Sequence, residues 1–140
     1  MASPLFGRTD LAGPYRLPAP RLAAVEAELS AAGIAPVRIG ATQADRAGWF
    51  AALAQALALP AHFGGNFDAL YDSLCDREVL PQAQLVLLIE NTQALGEEGT
   101  DTLIAVLQAA ADEWREQQRT LWALFLAPGI DLDALPAVKA

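Results

Sequence analysis

Apolar residues recur at helical spacing over several stretches of the chain. Phe67, Leu70 and Leu74 fall on one stripe at about 100° per residue, with Tyr71 at its border, while Asp68 and Asp72 point away from it. This spacing predicts an amphipathic helix that starts at Phe67, with Asn66 as its N-cap; Pro60 ends the preceding helical run and Gly64-Gly65 open the turn between them. Leu103, Leu107, Ala110 and Trp114 form a comparable stripe in a long helix over 100–117, with Asp112 and Glu116 projecting from its opposite side. Phe50, Leu53 and Leu57 supply the buried stripe of another helix, flanked by Trp49, and Thr42 followed by Asp45 reads as its capping box. Leu22, Val25 and Leu29, ending at Gly33, predict a short helix nearer the N-terminus.

Strands read differently. Residues 85–89 and 121–126 are continuous apolar runs without polar alternation, the pattern of parallel strands covered on both faces. Val37 and Ile39 alternate with Pro36 and Arg38, which predicts a short first strand. The order strand, helices, strand, helix, strand implies a small α/β domain with crossover connections. Pro4, Pro14, Pro18 and Pro20 mark residues 1–20 as extended, weakly ordered chain, and residues 128–140 read as a loose tail.

A length of 140 residues suits one domain, and 54% hydrophobic against 19% charged residues is enough to pack a core. Acidic residues exceed basic ones, 17 to 9, so the formal charge of −8 repels a phosphate backbone and directs the search for partners toward cationic proteins. A net negative charge also serves solubility. Cys75 is the only cysteine, which excludes an intrachain disulfide, and the start MASPLFGRTD lacks the layout of a signal peptide, so a cytoplasmic protein is expected. No apolar run approaches the roughly 20 residues of a membrane-spanning helix.

The chemistry concentrates in residues 57–76, LALPAHFGGNFDALYDSLCD. His62, the only histidine, lies near Ser73 and Asp72 in sequence, but neighbours on a helix diverge by about 100° and cannot converge on one imidazole as a hydrolytic triad requires. Asp68 and Asp72 could share an ion, yet hard cations require about six oxygens and no further ligands cluster nearby. Gly64-Gly65 lack the lysine of a phosphate loop. His62 by itself reads as a solvated loop residue, Phe63 and Tyr71 as either core anchors or interface aromatics, and Cys75 as an inert thiol. Asp68, Asp72 and Asp76 at i, i+4 and i+8 form a row of like charges, which is either a solvated face or a surface for a basic partner.

The run from Leu59-Pro60 through an aromatic, Gly64, Asn66, Asp68-Ala69-Leu70, Tyr71, Asp72 and Leu74 resembles the barstar family of ribonuclease inhibitors, and the later strand, long helix and closing strand come in that family's order. The resemblance covers residues 34–127, leaving 1–33 as an N-terminal extension and 128–140 as a tail. It implies a three-stranded parallel sheet with crossover helices packed mainly on one side, here with an extra N-terminal helix that could cover sheet surface otherwise left open. It implies a cytoplasmic inhibitor that plugs a cationic ribonuclease, without catalysis or cofactor and monomeric when free. By position, Asp72 is the carboxylate inserted at the nuclease phosphate site, Asp68 the flanking acid, and Asn66 the residue that holds the loop. Asp112 matches an outlying acid by type alone. His62, Phe63, Gly64, Tyr71, Cys75 and Asp76 complete the expected contact surface, although a histidine and a phenylalanine replace the prototype's loop tyrosines, Tyr71 its helix tryptophan, and Cys75-Asp76-Arg77 its small residues. The alternative is a regulatory or scaffolding module of the same fold that binds another basic protein.

Overall fold

The computed structural model describes residues 5–6, 8–39, 45–59, 65–126, 130 and 132–135. In chain order the elements are β1 (Pro14–Arg16), α1 (Leu22–Ala31), β2 (Val37–Ile39), α2 (Arg46–Ala56), α3 (Phe67–Cys75), β3 (Gln84–Ile89), α4 (Gly96–Glu116) and β4 (Thr120–Phe125). All strand pairs are parallel and the sheet order is β1-β4-β3-β2.

The uninterrupted apolar runs of β3 and β4 are central and buried on both sides. Leu85, Leu87, Ile89, Leu121, Ala123 and Phe125 share one core with Phe50 and Leu53 of α2, Leu70 and Leu74 of α3, and Leu103, Leu107 and Trp114 of α4. Val86, Leu88, Trp122 and Leu124 share the other with Val25 and Leu29 of α1 and with Leu5, Phe6, Leu17 and Leu135. Three helices therefore cover one face, and α1 with the chain ends covers the other.

The sheet has four strands where the resemblance implied three. The added strand comes from the Pro-rich segment expected to hold no regular element. Pro14–Arg16 lies in register with Ala123–Phe125, the Ala123 N–H donating to Gly13 O at 3.1 Å and the Leu17 N–H to Phe125 O at 2.8 Å. Proline at the first position of an edge strand forfeits no ladder bond. Nor is the C-terminal side wholly loose: Leu135 is buried, and its N–H donates to Arg16 O at 2.8 Å.

Two local expectations also change. Asp45 is itself the N-cap of α2, accepting from the Gly48 N–H at 2.7 Å, whereas Thr42 lies outside the described residues. Trp49 does not flank the stripe but is fully buried, its indole N–H donating to Glu90 O at 3.1 Å. At the end of α2, Ala58 takes φ +52° and the Leu59 N–H returns to Ala54 O at 2.9 Å, a left-handed closure that stops the helix just before Pro60. No helix of the described residues is long and apolar enough to cross a membrane.

Trp122 shows how closely the second face is packed: Phe6 meets its ring edge-on at 5.1 Å and Tyr15 stacks at 5.9 Å. Removing residues 1–33 should therefore lower the melting temperature sharply, and Leu29→Ala should cost about 2–5 kcal/mol in a denaturant titration. Unchanged melting of the truncated chain would show that the face needs no cover.

Candidate protein-binding site

Helix α3 is set in place by its cap, its stripe and one buried hydrogen bond. Asn66 Oδ1 accepts from the Ala69 N–H at 2.8 Å, and Gly65, at φ +68°, turns the chain into that cap. Leu70 and Leu74 have no exposed surface, and the Trp114 indole donates to Leu74 O at 2.7 Å, tying α3 to α4. At the start of the helix the Phe67 ring meets Phe50 edge-on at 5.1 Å, and the Arg46 guanidinium lies 5.0 Å from the Phe67 ring. Beyond its end, Arg119 stacks 3.8 Å from the Trp114 ring and donates to Gln82 O at 3.0 Å and to Leu80 O, so the chain leading to β3 is held against α4. Burial, and then the nearby Arg77, push the Arg119 pKa down.

With the stripe fixed inward, Asp68 and Asp72 are exposed one turn apart, and neither pairs with a cation among the described residues. Asp68 lies in the first turn, where the helix dipole favours a negative charge. Their closeness costs about 0.2–0.5 kcal/mol as a like-charge i,i+4 pair. Between them and α4 runs an open groove of about 520 Å³, lined by Phe67, Asp68, Tyr71 and Asp72 on one side and by Thr102, Ala105, Val106 and Ala109 on the other.

The expected row of three acids is shorter in the structure. Asp76 has left the helix as its C-cap, with extended backbone, and its Oδ1 accepts from the Glu78 N–H at 2.9 Å. Asp112 is exposed on α4, where it accepts from Gln108 at 3.0 Å and pairs with Arg115 at 2.7 Å. Arg115 in turn donates to Thr9 O and Ala12 O, which ties that cluster to the N-terminal segment and not to α3. The next residue, Glu113, is the acid that acts on α3: its charge acts on both Tyr71 and Cys75. Sequence spacing alone does not single it out, because Asp112 and Glu116 already mark the polar side of α4. The helical spacing of Thr102, Val106, Ala109 and Glu113 along the flank facing α3 was the available signal.

A family model described as "Barstar (barnase inhibitor)" matches residues 37–126, from the first residue of β2 to the residue after β4. The chain belongs to the barstar family. Comparisons with curated proteins and with solved structures return no match. The matched segment holds α3, α4 and the loop before α3, while β1, α1 and Leu135 lie outside it. The matched family is thus described by an inhibitor of another protein.

Of the expected barstar contact residues, Asn66, Asp68, Tyr71, Asp72 and Cys75 are brought together on or beside the exposed side of α3. His62, Phe63 and Gly64 lie outside the described residues. Ser73 is buried while Asp72 is exposed, so the two diverge. Among the described residues no group of three or more His, Cys, Asp and Glu side chains could hold a metal ion.

Cys75, one turn away from Tyr71, raises the Tyr71 pKa first through hydrogen bonding and then through its charge, and burial followed by the charges of Glu113 and Asp72 act in the same direction. Burial pushes the Cys75 thiol up, with Glu113 and Asp72 acting the same way and the Tyr71 hydrogen bond opposing them. Cys75 is thus held as a protonated, weakly nucleophilic thiol. Its alkylation by iodoacetamide should show a pH midpoint above that of a free cysteine; Glu113→Gln should lower the midpoint and Tyr71→Phe raise it. A profile like that of free cysteine would contradict this electrostatic account.

Proposed function

We propose that this protein is an intracellular inhibitor of a cationic ribonuclease, which it blocks by laying α3 and the preceding loop over the nuclease active site. The observation that carries the reading is the pair Asp68 and Asp72: exposed, uncompensated among the described residues, and mounted on a helix whose other side is locked into the core of a barstar-family chain. A ribonuclease must bind a polyanion, so its active site presents clustered cations, and a rigid helix with two projecting carboxylates complements it.

In this mechanism Asp72 enters the phosphate subsite and Asp68 meets the cations at its rim. Asn66 keeps the first turn closed, and His62, Phe63 and Gly64 of the preceding loop complete the proposed contact. Tyr71 offers an apolar ring edged by a hydroxyl, a combination favoured at interfaces. Asp112, paired with Arg115, contributes at the periphery or not at all. The inhibitor excludes substrate without turning anything over, and it acts in the cytoplasm, where an untimely active nuclease would destroy the cell's own RNA.

Two measurements test the reading. Because association is steered by charge, its rate should fall steeply as ionic strength rises past ~0.1 M, where the Debye length is about 10 Å. A mononucleotide occupying the phosphate subsite should compete with the inhibitor for the nuclease. A salt-independent rate, or a ternary complex of nuclease, nucleotide and inhibitor, would rule out occlusion of the active site.

A further inference from the structure

The groove between α3 and α4 has a composition that charge pairing alone does not use. Its base is apolar, formed by Phe67 and Tyr71 on α3 and by Ala105, Val106 and Ala109 on α4, while the carboxylates of Asp68 and Asp72 stand at its α3 edge. Phe67, Tyr71 and Val106 are half-buried residues that pack against the main core, so the base is stiff. Ala105 and Ala109 are exposed, and their small side chains are what leave the groove open.

We infer that this groove is a second part of the interface, which takes an apolar side chain, of leucine or isoleucine size, that the partner presents between basic residues. The inference rests on the cationic partner proposed above and adds to it an anchor distinct from the phosphate-subsite contact of Asp72. A volume of about 520 Å³ is ample for one such side chain with part of its backbone. The partner's flanking lysine or arginine side chains would meet Asp68 and Asp72, neither of which has a cation to meet among the described residues. A purely polar partner surface would strand the apolar base against polar groups, whereas an uncharged apolar loop would leave the two carboxylates at the edge uncompensated and partly desolvated. The two features together select an apolar side chain in a basic context. The division of labour follows from the physics: long-range charge sets the association rate, and apolar burial in the groove sets the residence time.

Acetyl-Arg-Leu-Arg-amide and acetyl-Arg-Ser-Arg-amide, titrated separately into the isotopically labelled full chain, distinguish the apolar anchor from charge pairing alone. The leucine peptide should shift the amide signals of Tyr71, Val106 and Ala109 and bind about tenfold more tightly than the serine peptide, as burial of one aliphatic side chain predicts. Ala109→Trp, a change at an exposed helix position that fills the groove, should abolish that difference; Val106→Ser should reduce it. Equal affinity of the two peptides, no binding of either, or shifts confined to other surfaces would overturn the groove assignment while leaving ribonuclease inhibition standing. Loss of inhibition with the leucine preference intact would instead remove the ribonuclease reading and leave the groove as a site for another basic protein.

Discussion

Leu70 and Leu74, sealed against the core, and the Trp114 indole bonded to Leu74 O at 2.7 Å fix the rotation of α3 about its own axis. The rest of the surface depends on that rotation. With Phe67, Leu70 and Leu74 turned inward, helical geometry leaves Asp68 and Asp72 no position except the outer ridge. Turning the helix to hide the carboxylates would expose two leucines and break a buried hydrogen bond, a loss of several kcal/mol against a like-charge penalty of a few tenths. The acids are therefore presented rigidly, and rigid presentation lets a partner bind them with little loss of conformational freedom.

The second constraint is the sheet. Central strands that are apolar on both sides require two covers, and α2, α3 and α4 supply only one. The other comes from both ends of the chain: β1, α1 and the segment around Phe6 from the N-terminal side, and Leu135 from the C-terminal side. The family match begins at β2, so this cover is what the chain adds to the matched unit. Its physical effect is to bury Trp122, Val86, Leu88 and Leu124 on the face away from α3, which leaves the acidic helix free of structural duties on its outer side.

Much of this was legible in the sequence because periodicity reports burial directly. The stripes of α1, α3 and α4, the two-sided burial of β3 and β4, and the Asn66 cap all follow from spacing and residue type. Strand β1 was not legible, since three residues led by a proline carry no alternation, and their pairing with β4 is set by a contact more than a hundred residues away. The fate of Asp76 turned on where the helix ends: a residue one position beyond the last turn has the spacing of the row but not its direction. Asp112 and Glu113 differ by one position on α4, and only the packing of α4 beside α3 determines which acid acts on Tyr71 and Cys75.

On the proposed function Asp72 is kept for a partner and not for the fold, and Asp72→Asn sets the two roles against each other. In the free protein the change removes a repulsion with Asp68 and breaks no pairing among the described residues, so the melting temperature should hold or rise slightly. In the proposed complex with a ribonuclease it would leave buried cations of the nuclease without their counter-charge, a loss of about 3–5 kcal/mol. A melting curve and a ribonuclease titration on one Asp72→Asn preparation decide the matter. An intact fold with inhibition lost is the expected result; a clearly lowered melting temperature with inhibition preserved would show that Asp72 serves the fold instead.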